Sequence, residues 1–223
     1  MSTSTRWTVA VMVVVVALGV ALWTQLGDDG PAPGPIGSGQ ARDRRDADTA
    51  EVLAPLRARA DLSPCPLAGT GPGPEQSPDL RSSALHGITL ECAGDGANID
   101  VAMALAGRTT VLNLWAYWCA PCAEELPAMA EYQRRAGPDV TVLTVHQDEN
   151  EGAALLRLEE LGVRLPTLQD GRRLIAAALR VPNVMPATVV LRADGSVAEV
   201  LPRSFASADE IAAAVDPKIG VSG

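Results

Sequence analysis

The chain has 223 residues, with 18 basic and 27 acidic side chains and a formal net charge of −9. This acidic balance argues against nucleic-acid binding, because phosphates require a basic face. Hydrophobic residues make up 47% of the chain and charged residues 20%, which excludes wholesale disorder, and four cysteines are too few for a miniprotein built on disulfides.

Residues 7–26, near the amino terminus, form an uncharged segment that is dominated by apolar residues. About 20 apolar residues in a helix suffice to cross a bilayer, so we expect a transmembrane signal anchor. A cleaved signal peptide is the alternative, since Ala17–Gly19 weakly resembles a cleavage site. Arg6 precedes the segment and two aspartates follow it, which places residues 1–6 in the cytoplasm. The resulting prediction is a single-pass protein of the cell membrane with an extracytoplasmic catalytic domain.

Two stretches rich in proline and glycine separate this segment from the rest of the chain. Residues 27–60 are predicted to be a flexible linker or stalk, because 27–39 consist largely of glycine and proline. Apolar residues at 52, 53 and 56 recur at helical spacing and suggest a short surface helix near its end. Residues 61–84 are predicted to be a second extension, which contains Cys65.

Residues 85–223 alternate strand-like and helix-like segments, which predicts one folded domain. We expect strands at 85–91, 111–116, 140–145, 187–192 and 196–201. We expect helices at 123–135, 151–161, 172–179 and after Ser207, which forms a capping box with Glu210. This order is typical of an α/β fold with a central mixed sheet flanked by helices.

The sequence WCAPC at 118–122 holds two cysteines two residues apart at a predicted strand-to-helix turn. The amino end of a helix favours thiolate over thiol, so Cys119 is predicted to attack a disulfide and Cys122 to resolve the mixed disulfide. Residue 123 is alanine, so the haem-attachment pattern is absent, and no second such pair is present to complete a zinc site. We therefore predict a redox-active dithiol that needs no metal and no cofactor.

The segments VLNLWAYWCAPC at 111–122 and PATVVLRADG at 186–195 resemble the thioredoxin superfamily. More narrowly, they resemble the membrane-anchored TlpA/ResA-type (CcsX-like) reductases that serve cytochrome c maturation. The resemblance spans about residues 85–215 and implies a thioredoxin-like fold with a helix–strand–helix insertion at 149–179. Asn113 and Pro127 match positions at which this group commonly carries these residues.

The resemblance also implies roles for residues beside the dithiol. Glu125 matches the group's acidic residue, and its i,i+3 spacing from Cys122 suggests that it exchanges a proton with that thiol, with a pKa raised by partial burial. An ordinary exposed glutamate is the alternative. Met185 and Pro186 match the cis-proline loop, which together with Trp118 would bind a client peptide as an added strand. A simple strand-opening proline is the alternative for Pro186.

Cys65 and Cys92 are the two cysteines left after the active-site pair. An even number of cysteines in an oxidising compartment favours pairing, so we predict a structural disulfide. The alternative is a second redox pair that relays electrons to Cys119. His86 and His146 join no metal-binding spacing and are predicted to be ordinary surface or strand-end residues.

These observations predict a thiol–disulfide oxidoreductase. By resemblance, it would reduce disulfides of apocytochrome c or of a haem-ligation component, and an integral membrane thiol donor of the CcdA type would supply its electrons. Two alternatives remain open: a general extracytoplasmic disulfide oxidoreductase or isomerase for secreted proteins, and a copper-binding chaperone that uses the same dithiol, since soft thiolates select Cu(I).

Overall fold

The computed structural model describes residues 48–68 and 81–220. The predicted cytoplasmic residues 1–6, the signal anchor at 7–26 and linker residues 27–47 lie outside the described residues. Within the two described ranges, no helix combines the length and the hydrophobicity of a transmembrane span.

One seven-stranded mixed sheet organises the fold, in the order β2-β1-β5-β4-β3-β6-β7. The strands are β1 Thr89–Cys92, β2 Asn98–Asp100, β3 Thr110–Trp115, β4 Thr141–His146, β5 Thr167–Gln169, β6 Ala187–Leu191 and β7 Val197–Leu201. The helices are α1 Ala50–Ala60, α2 Val101–Leu105, α3 Ala120–Ala136, α4 Glu151–Leu161, α5 Leu174–Ala178 and α6 Ala208–Ile219. β4 runs parallel to both β3 and β5, and the other neighbouring pairs are antiparallel.

Strand β3, which lies next to the central strand β4, is buried along its whole length, because helices cover both faces of the sheet. Its side chains alternate between two hydrophobic clusters, with Leu112 and Leu114 on one face and Val111 and Trp115 on the other. Residues of α2 and α5 complete the first cluster, and residues of α3 and α6 complete the second. The predicted mixed sheet flanked by helices is therefore confirmed.

Several short elements differ from the sequence-based expectation. The first strand begins at Thr89 rather than Leu85, because the preceding residues form turns in which the His86 N–H donates to the Ser83 carbonyl (3.0 Å). β2 and β5 have three residues each and α2 has five, which is too short for an apolar period to be recognised in the sequence. The predicted helix–strand–helix insertion corresponds to α4, β5 and α5.

The prediction of a flexible linker at 27–60 is wrong for its last part. Helix α1 packs against α4, and Leu53 and Ala60 are buried in a cluster with Ala93 and Leu155. The Arg57 side chain is largely buried as well. The helix forms here because α4 offers Leu53 and Leu56 an apolar face, a long-range contact that the local sequence does not reveal, whereas Val52 remains exposed.

Polar contacts also fix this segment to the domain. The Arg57 guanidinium donates to the carboxylates of Glu91 and Glu151, the second at 2.9 Å. The Asp48 carboxylate accepts the backbone N–H groups of Glu151 and Gly152, each at 3.0 Å, at the amino end of α4. Residues 48–60 thus belong to the folded unit.

The described part of the extension predicted at 61–84 is also anchored to the domain. The Ser63 N–H donates to the Arg164 carbonyl at 2.8 Å, and Cys65 is disulfide-bonded to Cys92 at the end of β1. The folded unit therefore starts well before residue 85, the boundary predicted for the thioredoxin-like domain.

Candidate active site

The cysteine pair lies where β3 ends and α3 begins. The Cys119 N–H donates to the Ala116 carbonyl at 3.0 Å and closes a tight turn. Cys119 is the N-cap of α3, and its Sγ accepts the Cys122 N–H at 3.3 Å. A sulfur held at the amino end of a 17-residue helix is stabilised as a thiolate once the Cys119–Cys122 disulfide, present here, is reduced.

The two sulfurs differ in access to solvent. Cys119 retains 5% exposure, whereas Cys122 has none. The neighbouring Trp118 side chain is one of the most exposed apolar groups among the described residues, at 58%. An incoming disulfide can therefore reach Cys119 and not Cys122, so Cys122 can act only from within, on Cys119 Sγ once that sulfur is bonded to a client.

Glu125 is fully buried on α3, one turn after Cys122, which excludes the alternative of an ordinary exposed glutamate. Its carboxylate accepts the Asn113 side-chain amide at 2.7 Å and the Phe205 N–H at 3.0 Å. Burial raises the pKa of Glu125 to about 7, although these two hydrogen bonds and the charge of Arg203 act in the opposite direction. A carboxyl that titrates near neutrality can take up and release a proton during turnover, so the role predicted for it stays a chemically sound hypothesis.

The peptide bond between Met185 and Pro186 is cis. β6 begins at the next residue, Ala187, which lies opposite Leu114 of β3, so the sheet register places this loop beside the turn that carries the cysteines. Pro186 is buried, whereas Met185 is half-buried and packs against the cluster that contains both cysteines. Trp118 and Val184 are exposed. The predicted client-binding residues therefore border the dithiol.

His146 is a site residue that the sequence did not reveal: it ends a strand, as one predicted alternative has it, but it is buried, so the surface alternative is wrong. It ends β4 opposite Trp115 in the parallel register and has no exposed surface. Its ring packs against Trp115, with ring centroids 4.9 Å apart, and lies 6.0 Å from the Tyr117 ring. Burial lowers the pKa of His146. Its place at the carboxyl end of a strand parallel to β3 is the signal that could have identified it.

Two further polar side chains border the turn. The Trp118 indole N–H donates to Asp148 Oδ2 at 3.1 Å, and Asp148 Oδ1 accepts the Asn150 N–H at 3.0 Å. Gln169 of β5 contacts His146 and also donates to the Asp148 carbonyl at 2.6 Å. Strand β5 of the insertion thus contributes directly to the environment of the cysteines.

The Cys65–Cys92 disulfide lies apart from this site. Both residues are buried, in the hydrophobic cluster on the opposite face of the sheet from Cys119 and Cys122. β1 is separated from β3 by β5 and β4, which corresponds to about 14 Å at the usual strand spacing. An electron relay between the two pairs would have to cross the sheet, so the geometry favours the structural role. Within the described ranges, no group of three or more His, Cys, Asp or Glu side chains is arranged to hold a metal ion.

Comparison with known proteins agrees with this geometry. The profile of the Redoxin family matches residues 75–211, more than half of the chain. The chain is 31% identical over 98 residues to the thiol-disulfide oxidoreductase ResA of Bacillus subtilis strain 168, an alignment that covers 44% of this chain and 54% of that protein. It thus spans about half the length of the curated relatives it matches.

Solved structures agree on the fold. A structure of MTB dsbF in its mixed oxidised and reduced forms is 24% identical, with a TM-score of 0.54, and covers 60% of this chain and 97% of that one. A secreted thiol-disulfide isomerase from Corynebacterium glutamicum is also 24% identical, with a TM-score of 0.53 and coverage of 60% and 84%. Together with the family match, they confirm the thioredoxin-like fold and the resemblance to ResA/TlpA-type proteins.

Proposed function

The chain belongs to the Redoxin family, and from this premise we propose that it is an extracytoplasmic thiol–disulfide oxidoreductase. The observation that carries the proposal is the placement of Cys119 at the amino end of α3, with the Cys122 N–H donating to its sulfur. The buried carboxyl of Glu125 one turn further supports it, because the reaction requires a proton acceptor beside a sulfur that solvent cannot reach.

The reaction starts from the dithiol form of the protein. The Cys119 thiolate attacks one sulfur of a client disulfide, an S–S bond forms between Cys119 and the client, and the client's second sulfur leaves as a thiolate and takes up a proton. The Cys122 thiol then transfers its proton to the Glu125 carboxylate and attacks Cys119 Sγ. The mixed disulfide breaks, and the client's remaining sulfur leaves and takes up a proton. Two electrons have passed to the client, and the protein holds the Cys119–Cys122 disulfide.

Client binding is assigned to the surface formed by Trp118, Met185 and Pro186. Pro186 lacks an N–H, so the backbone groups of Met185 are the ones available to pair with an extended client segment. The exposed Trp118 indole, next to Cys119 in the chain, offers apolar contact. A disulfide within an extended peptide would thereby be presented to the accessible sulfur.

The physiological setting is the finer part of the proposal. The resemblance to TlpA/ResA-type proteins supports apocytochrome c, or a haem-ligation protein, as the client, and a membrane dithiol donor of the CcdA type as the source of electrons. The apolar segment at 7–26 supports attachment to the cell membrane with the catalytic domain outside.

The test uses single cysteine variants and a peptide disulfide. Cys119→Ser is expected to abolish reduction, whereas Cys122→Ser is expected to accumulate a stable mixed disulfide between Cys119 and the peptide, visible by mass spectrometry. Reduction that persists in Cys119→Ser would overturn the proposal. In cells, the Cys122→Ser trap is expected to capture apocytochrome c, and capture of varied secreted proteins instead would favour a general oxidoreductase.

A further inference from the structure

A directional chain of hydrogen bonds surrounds His146. The Tyr117 backbone N–H donates to His146 Nε2 at 3.4 Å, so Nε2 must be the acceptor and carries no proton. His146 Nδ1 lies 2.8 Å from Gln169 Oε1, an acceptor, so Nδ1 must carry the proton. The Gln169 amide then donates to the Asp148 carbonyl at 2.6 Å. Donors and acceptors agree along this chain only when the imidazole is neutral with its proton on Nδ1.

The chain of hydrogen bonds ends on the turn that carries the nucleophile. Tyr117 lies inside the turn closed by the Cys119 N–H and the Ala116 carbonyl. The imidazole contacts the residues on both sides of Ala116, since its ring packs against Trp115 and lies near Tyr117. His146 itself is fixed from β5 by Gln169, so the turn is held by an element remote in sequence.

We propose that His146 is a positioning residue of the active site, whose neutral imidazole, held by Gln169 with its proton on Nδ1, fixes the Tyr117–Cys119 turn so that Cys119 Sγ remains at the amino end of α3. Only the expected effect on turnover rests on the proposed function. The placement of the sulfur has its own readout, because the thiolate gains the Cys122 N–H contact only while the turn keeps its geometry.

The charges that face the ring are compatible with this role. The Gln169 hydrogen bond and the Asp148 and Asp48 carboxylates act on His146 in favour of its protonated form, and the Tyr117 ring faces it from the turn. Burial outweighs these contributions and lowers the pKa of His146, which favours the neutral ring. Protonation would place an N–H at Nε2 against the Tyr117 N–H, two donors facing each other, and would release the turn.

The first experiment reads the tautomer directly. The chain contains two histidines, so the imidazole resonances of a His86→Gln variant come from His146 alone. Because His86 is exposed, its replacement should not disturb the fold. Nitrogen NMR of the imidazole in this variant is expected to show a neutral ring with the proton on Nδ1 at pH 7–8 and a pKa below that of a free histidine. A ring that carries its proton on Nε2, or that titrates like a free histidine, would overturn the inference.

The second experiment uses three substitutions at His146 in the reduced protein and follows alkylation of Cys119 with iodoacetamide. The amide oxygen of glutamine lies near the position of Nε2, whereas that of asparagine lies near Nδ1 and phenylalanine offers no acceptor. We expect His146→Phe and His146→Asn to move the alkylation profile to higher pH and to slow the reaction at pH 7 by about three- to tenfold, the usual effect of one neutral hydrogen bond. His146→Gln is expected to retain the wild-type profile.

Equal profiles for the glutamine and phenylalanine variants would contradict the positioning role, since a purely structural histidine changes the unfolding midpoint without moving the alkylation profile. Should the phenylalanine variant not fold, the tautomer measurement on the His86→Gln protein still decides. Turnover of a peptide disulfide is measured in parallel. If no protein turns over the peptide but the alkylation profiles of the glutamine and phenylalanine variants still differ, the result contradicts the proposed function and not the positioning role.

Discussion

Replacing Glu125 with glutamine tests whether a buried carboxyl near the dithiol titrates around neutrality. Glutamine keeps the shape of the side chain, and its oxygen can still accept the Phe205 N–H. Its amide would face Asn113, whose Oδ1 has no partner among the described residues and can accept from it once the Asn113 amide rotates. The variant is therefore expected to fold and to lose only the ionisation.

The size of the effect follows from the pKa. Burial raises the pKa of Glu125 from 4.5 to about 7, which corresponds to about 3 kcal/mol of unfolding free energy. Because the folded-state pKa lies above the unfolded one, this stabilisation is fully present below pH 4.5 and is lost as pH rises through 7. Between pH 5 and pH 8 the wild type should lose about 2 kcal/mol that Glu125→Gln does not lose.

Urea unfolding of the oxidised proteins at pH 5 and pH 8 measures this difference. Glu151, whose pKa burial also raises to about 7, is present in both proteins and cancels in the comparison. Glu124→Gln is the matched control, since Glu124 is the exposed neighbour on the same helix and should change neither value. If the difference in unfolding free energy between the wild type and Glu125→Gln is the same at both pH values, Glu125 does not titrate near neutrality and the reasoning is refuted.

Three further predictions concern regions around the site. Replacing Cys65 and Cys92 together with alanine opens a 28-residue loop (a sequence separation of 27), which should lower the unfolding free energy by about 3.6 kcal/mol in urea and leave the alkylation rate of Cys119 unchanged. Arg57→Met leaves two carboxylates without their cation, so the unfolding free energy should fall by about 2 kcal/mol at pH 8 and by less at pH 5, where Glu151 takes up a proton. Trp118→Ala should raise the KM for a peptide disulfide about tenfold in a turnover assay, because it removes the exposed apolar contact beside Cys119.

Local spacing was sufficient to predict one part of the site. Cys119, Cys122 and Glu125 lie on a single helix, so their separations in sequence fix which of them face one another. The strands β3 and β4 could be predicted as well, because β3 is mostly apolar and β4 is rich in the β-branched residues valine and threonine.

Contacts between distant elements set the limit of prediction from the sequence. His146, Asp148 and Gln169 reach the cysteine turn from the end of β4, the following loop and β5, and no local period marks them as a group. Arg57 likewise finds its partners Glu91 and Glu151 at separations of 34 and 94 residues. Residues 48–60, whose sequence predicts a linker, become part of the fold through such pairings.

The central claim is that the Cys119–Cys122 pair cycles while the Cys65–Cys92 pair stays closed. Mass spectrometry of protein equilibrated in glutathione buffers of defined potential and then alkylated tests it most directly. The account predicts reversible opening of the Cys119–Cys122 pair alone. Its midpoint potential should lie between about −200 and −270 mV, the range of the glutaredoxins and thioredoxin. Opening of both pairs together, or a midpoint above about −150 mV, would contradict a reductant with one redox-active pair.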